Sequence, residues 1–148
     1  MKPLNYYAIV AGAAADMFGT LMVSIAIGVL ASSRLLAQGV PEAEIGARLA
    51  RDTTMLTWSV VSGLVASVAG GLVAARMARY RELMHGASAG GVGLVLATVS
   101  AVLSPMVLPG WYVMTGYGLV VPAAALGGWL GKVWNDRQRK DEPGTTPQ

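Results

Sequence analysis

One carboxylate, Asp16, stands alone near the middle of an apolar run that extends from Tyr6 to Leu30. An ionisable group at bilayer depth costs about 2.5–3.5 kcal/mol on insertion scales, so such a residue is a candidate functional site by default. No Lys, Arg or His lies inside the other apolar runs of the chain, so the acid has no counterion at its own depth. Burial without a partner favours the neutral form of an acid. The hydroxyls that could satisfy it are those of Ser59, Ser62, Ser67, Thr98, Ser100, Thr115 and Tyr117. Gly12 and Gly19 fall on neighbouring faces, where a close helix contact could enclose the carboxyl. Two kinds of chemistry follow: a satisfied buried acid that fixes packing, or a proton- or substrate-binding group.

Other residue patterns that suggest chemistry weaken on inspection. Gly86-Ala87-Ser88-Ala89-Gly90 spells G-x-S-x-G, with the lone His85 beside it. A hydrolase needs that motif on a strand-turn-helix elbow with its histidine arriving from elsewhere. Here it opens an apolar helix, and adjacent helical residues point apart. His85 therefore reads as an interfacial residue, not as a base. Gly90-Gly91-Val92-Gly93 follows no strand and precedes no Lys, so it is not a phosphate loop. A single His and no Cys give no ordinary zinc site, no thiol catalysis and no disulfide framework. No metal, cofactor or enzymatic activity is expected.

The elements that must position Asp16 are apolar helices. The 148 residues are 54% hydrophobic and only 13% charged, about half the charge of an ordinary soluble domain. Residues 55–75 and 86–131 carry no charge at all. As one helix the second stretch would run to roughly 70 Å, more than twice a hydrocarbon core of about 30 Å. It must turn, and Pro105 with Pro109-Gly110 supplies the break. Four spans result, about 6–30, 55–75, 86–107 and 111–131, in a single domain over 1–135. The first run is too long, and its charged flank too thin, for a cleaved signal peptide.

Orientation follows from the basic residues. With the N-terminus in the cytoplasm, Lys2, Arg76, Arg79, Arg81, Lys132, Arg137, Arg139 and Lys140 lie inside, against Arg34, Arg48 and Arg51 outside. Both termini are expected in the cytoplasm of a bacterium, with the chain in its inner membrane. The basic residues flank apolar segments, which argues for lipid headgroups and against nucleic acid. In the first outer loop, Val40 to Arg51 reads as a short amphipathic helix with Pro41 at its first position and a Glu44/Arg48 pair. Arg76 to Leu83 could carry the second span past the membrane, and 136–148 reads as a disordered tail. Pro122 is expected to kink the fourth span.

Small residues should hold the helices together, because lipid supplies no hydrophobic force between them. The second span carries Ser59, Gly63, Ser67, Gly71 and Ala75 at strict i+4 spacing, beside a parallel file of Ala66, Gly70, Ala74 and Ala78. Gly93 on the third span, within Ala89, Gly93, Ala97 and Ala101, and Gly127 and Gly131 on the fourth continue the pattern.

Two resemblances add to this reading. Tyr7 to Met22, centred on Ala15-Asp16-Met17-Phe18-Gly19-Thr20, resembles the first helix of small multidrug resistance transporters over about 16 of the 148 residues. In that family an acid in a similar Ala-acid-x-x-Gly-Thr setting exchanges protons for cationic drugs; the resemblance implies that role for Asp16. Here Asp replaces the family's Glu, the first loop is longer, and the later-helix aromatic-glycine pattern is missing. Separately, Gly70-Gly71-Leu72-Val73-Ala74-Ala75-Arg76 with Glu82-Leu83-Met84-His85-Gly86 is similar to small four-span bacterial membrane proteins of no assigned activity. That likeness implies a fold and a location. The expectation is an all-α bundle of four transmembrane helices with an outer amphipathic helix. Its role is expected to be structural or accessory, with self-association or a membrane-protein partner; the alternative is a small proton-coupled transporter using Asp16.

Overall fold

A computed structural model describes residues 3–103 and 107–141, with side chains through Arg139. The described residues form five helices and no strand: α1 (Tyr6–Ala37), α2 (Glu42–Leu49), α3 (Thr53–Ala78), α4 (Glu82–Leu103) and α5 (Gly110–Asp141). All but α2 are long and apolar enough to cross a membrane. The protein is an all-α four-helix bundle with a short extra helix.

Local chemistry sets the helix ends. Asn5 caps α1, its Oδ1 accepting the Tyr7 and Ala8 amides at 3.0 and 3.3 Å. Asp52 does the same for α3, accepting from Thr54 and Met55 at 2.9 and 3.1 Å. α1 stops where Gly39 takes a positive φ of 78°. The Val40 amide then reaches the Leu35 carbonyl at 3.1 Å and that of Gly39 reaches Leu36 at 2.9 Å, which satisfies two orphan carbonyls.

Several boundaries differ from those expected. α1 runs to Ala37, past Leu30, since nothing breaks a helix before Gly39. The expected continuation of the second span through Leu83 does not occur. α3 ends at Ala78, and Arg79 and Arg81 adopt φ of 55° and 45° in the turn to α4. α4 therefore begins one turn earlier than its apolar run, at Glu82. α2 spans Glu42–Leu49, with Pro41 in the capping position just before it. α5 passes through Pro122 and continues to Asp141, so residues 136–141 are helical where a disordered tail was expected. Hydrogen bonds from Asn135 and Arg139 back to the α3–α4 turn and Glu82 hold those last turns. The break expected at Pro105 and the tail beyond Asp141 lie outside the described residues.

The helices pack as a rhombus. α3 and α4 touch each other and both outer helices, while α1 and α5 occupy opposite corners. Buried residues concentrate in one half of the bundle, the proximal half, which contains the start of α1, the end of α5 and the α3–α4 turn. They include Ala8, Ile9, Gly12 and Ala13 of α1, Ala66, Ser67, Gly70, Gly71, Ala74, Ala75 and Ala78 of α3, His85, Gly86, Ala89 and Gly90 of α4, and Ala124, Gly127, Gly128, Gly131 and Asn135 of α5. In the distal half, towards α2, side chains are mostly exposed or half-buried.

Candidate functional site

Asp16 lies where the packed half ends. It sits on α1, is 7% exposed, and faces α3 and α4. The Ser67 hydroxyl on α3 lies 3.1 Å from Oδ1 and 3.2 Å from Oδ2, and Thr20, one turn further along α1, reaches Oδ1 at 3.5 Å. Two glycines make the enclosure possible. A Cβ at Gly70 would stand 2.8 Å from the Asp16 Cβ, and one at Gly93 would stand 3.0 Å from Oδ2. Larger residues at either position would displace the acid. Gly12, one turn before Asp16, brings α1 onto α3: its own Cβ would fall 2.6 Å from the Gly70 carbonyl oxygen.

Of the hydroxyls offered by the sequence, Ser67 is the one that meets the acid. Thr20 belongs to the acid's own helix and was missed, although an i,i+4 pair on one helix face is a readable signal. No ion pair involves Asp16 among the described residues. Its carboxyl can exchange a proton with, or accept a hydrogen bond from, a polar guest. In this arrangement the single Ser67 hydrogen is shared between the two oxygens, and Thr20 adds a longer bond to Oδ1.

The small-residue files divide in two. Gly71 lies against the Ala124 backbone, Gly127 against Val68 and Gly131 against Ala75, all at the α3–α5 contact. Ser67 and Ala75 are buried. Gly63 has nothing within 4 Å of where its Cβ would be, and Ser59, one turn further out, is half-buried. Sequence reasoning missed Ala124, which fills the space between α3 and α4 and lies against Gly71, Gly86 and Gly90. Gly86 and Gly90, the glycines of the G-x-S-x-G pattern, are thus spent on helix contact. Their i,i+4 spacing was the available signal.

A second polar cluster seals the proximal end. His85, read from the sequence as interfacial, is fully buried at 0% exposure, because α4 starts before it and the N-terminal segment covers it. Its ring nitrogens meet the Asn5 amide and the Arg81 carbonyl, not Ser88. Glu82, 7% exposed, receives the Asn135 amide at 3.4 Å and has the Arg139 guanidinium at 3.9 Å. Asn135 also reaches the Ala75 carbonyl at 3.4 Å, and Arg139 donates to the Arg79 carbonyl at 2.6 Å. Arg76 lies over the Trp134 ring at 4.6 Å. Every buried side-chain nitrogen or oxygen among the described residues has a partner.

Comparison with protein-family models, with curated proteins and with solved structures finds no match to this chain.

Proposed function

We propose that this protein is a small multi-pass membrane component with a structural or accessory role, in which Asp16 serves packing. The enclosure of its carboxyl carries the reading. Ser67 bridges both oxygens, while Gly70 and Gly93 close over the acid from α3 and α4. A carboxyl satisfied inside the protein locks three helices in register, because leaving either partner unpaired in an apolar medium is costly. The excess of Lys and Arg on the side of both chain ends supports a bacterial inner membrane with the termini in the cytoplasm. Half-buried small residues of the distal half, such as Gly63 and Gly116, offer a face for a second copy or another membrane protein.

Asp16→Asn tests this reading. An amide keeps the acceptor for Ser67 and removes the ionisable group, so thermal stability in detergent should be unchanged or slightly raised. A second reading, proton-coupled transport, draws on one observation: Asp16 sits at the level where packing loosens, with Thr20 one turn towards the distal half. Transport requires that Asp16→Asn abolish pH-dependent uptake by proteoliposomes while the fold survives. That result would replace the structural reading.

A further inference from the structure

Arg76 is the first charge after the uncharged stretch 55–75, and Trp134 closely follows the uncharged stretch that ends at residue 131. The fold brings the two together at the proximal end of the α3–α5 contact, where the guanidinium carbon of Arg76 lies 4.6 Å from the centre of the Trp134 ring. Both side chains are exposed. A cation over a ring is held by the negative face of the π-system, so the contact spends no hydrogen-bond donor. The five N–H groups of a guanidinium lie in its plane, in a fork that matches the oxygens of a carboxylate or a phosphate. No ion pair among the described residues uses those of Arg76. The acids described at this end, Glu82 and Asp136, both lean on Arg139, at 3.9 and 3.8 Å.

We propose that the Arg76–Trp134 pair binds the phosphate of an anionic phospholipid whose acyl chains lie along the seam between α3 and α5. The sign of the charge calls for an anion. The level calls for a lipid: the pair stands where two apolar stretches end, and Trp is a residue of the headgroup region. The surface beneath it is apolar. Leu72 and Leu130, each one turn nearer the middle of its helix than Arg76 and Trp134, are half-buried and exposed respectively. Gly131 and Gly127 draw α5 onto α3 beside them, which leaves a shallow seam for hydrocarbon. Arg137, exposed and three residues beyond Trp134, adds a second cation on the same face of α5. The proposal rests on the reading of this chain as membrane-spanning, and it holds whichever end of the bundle is cytoplasmic.

Such a site differs from the general attraction of basic residues to lipid. A free Arg side chain loses rotamer freedom when it grips a ligand, at a cost of about 0.5–1.5 kcal/mol. Trp134 already holds the Arg76 guanidinium in place, so part of that ordering is complete before the lipid arrives. The fork also discriminates: a planar guanidinium takes two phosphate oxygens at once, whereas an ammonium is a point charge. Lys132 supplies the comparison within the molecule. It lies at nearly the same height on α5 and is exposed, but two residues from Trp134 it points about 200° round the helix. General attraction treats Lys132 and Arg76 alike, and a built site does not.

Native mass spectrometry of the full chain in a neutral detergent, titrated with phosphatidylglycerol or with phosphatidylcholine of the same acyl chains, tests the site. No charged leaflet is present there to attract every cation. Phosphatidylglycerol should bind about tenfold more tightly than phosphatidylcholine, the scale of charge-assisted hydrogen bonds. Arg76→Gln should abolish that preference, and Arg76→Lys, which keeps the charge without the fork, should lose most of it. Lys132→Gln should retain it. Equal binding of the two lipids, or equal losses in Arg76→Gln and Lys132→Gln, overturns the proposal. Inorganic phosphate added in excess should leave the lipid bound. Displacement by phosphate alone would mean that the fork takes any free anion, and the assignment to lipid falls. A chain that stays in solution with no detergent breaks the membrane reading instead, and does so before any lipid is added.

Discussion

Gly71 and Gly63 lie eight residues apart on one face of α3, in one file of small residues, yet their surroundings differ completely. At Gly71 the backbone of α5 rests directly on the glycine; at Gly63 nothing comes within 4 Å of a would-be Cβ. The same division runs through the bundle. Proximally, Gly12, Gly70, Gly86, Gly90, Gly127 and Gly128 are all pressed against neighbouring helices, whereas distally Gly28, Gly116 and Gly118 face open space. A small residue permits close approach but does not cause it. What draws the proximal ends together is a tight turn, Arg79 to Arg81, and the polar bonds of Asn5, Tyr80, His85, Glu82, Asn135 and Arg139. The distal end of α1 is joined to α3 through α2, which touches α1 alone to any extent.

The contrast can be broken at its strongest point by matched substitutions. Gly71→Leu drives a side chain into the α5 backbone, which has no rotamer through which to yield. It should cost more than about 4 kcal/mol, or prevent folding. Gly63→Leu should stay within about 0.5 kcal/mol of the parent, as for a substitution that meets no neighbour. Equal melting temperatures of the two variants in detergent would refute the division. Next in size is Asn135→Leu, which leaves the buried Glu82 carboxylate and the Ala75 carbonyl without their amide donor. A loss of about 1–3 kcal/mol is expected, read as a lower melting temperature. Glu82→Gln keeps an acceptor and should lose less. Smallest is Arg79→Gly. Arg79 holds a φ of 55°, a conformation that costs an L-residue about 1–2 kcal/mol. Arg139 bonds its carbonyl, not its side chain. Glycine should raise stability by up to about 1 kcal/mol, and a fall would mean that the guanidinium itself holds the turn.

Much of the architecture was legible in the chain. Apolar stretches, the longest of them broken by Pro105 and Pro109-Gly110, give four helices, since backbone groups in an apolar medium must bond within their own segment. The isolation of Asp16 was equally plain, as was Ser67 among its possible partners. Helix ends were less so. α4 begins at Glu82, and not with its apolar run, because both Glu82 and His85 find polar partners that lie 53 and 80 residues away in sequence. Hydropathy reads those residues as boundary markers and cannot see the partners. The last turns of α5 were hidden for the same reason, since a charged segment looks unstructured until Glu82 and the Arg79 carbonyl are placed beside it.

The sequence by itself determined that this protein is built from apolar helices, how many there are, and that one of them carries an unaccompanied acid. Those properties depend on composition and on contacts within a few residues along the chain. Only the tertiary structure decided which glycines are spent on contact, which hydroxyl meets Asp16, and that the lone histidine fastens the start of the first helix. Each of those depends on the relative rotation and spacing of helices distant in sequence. A file of small residues, identical along its length, does not encode them.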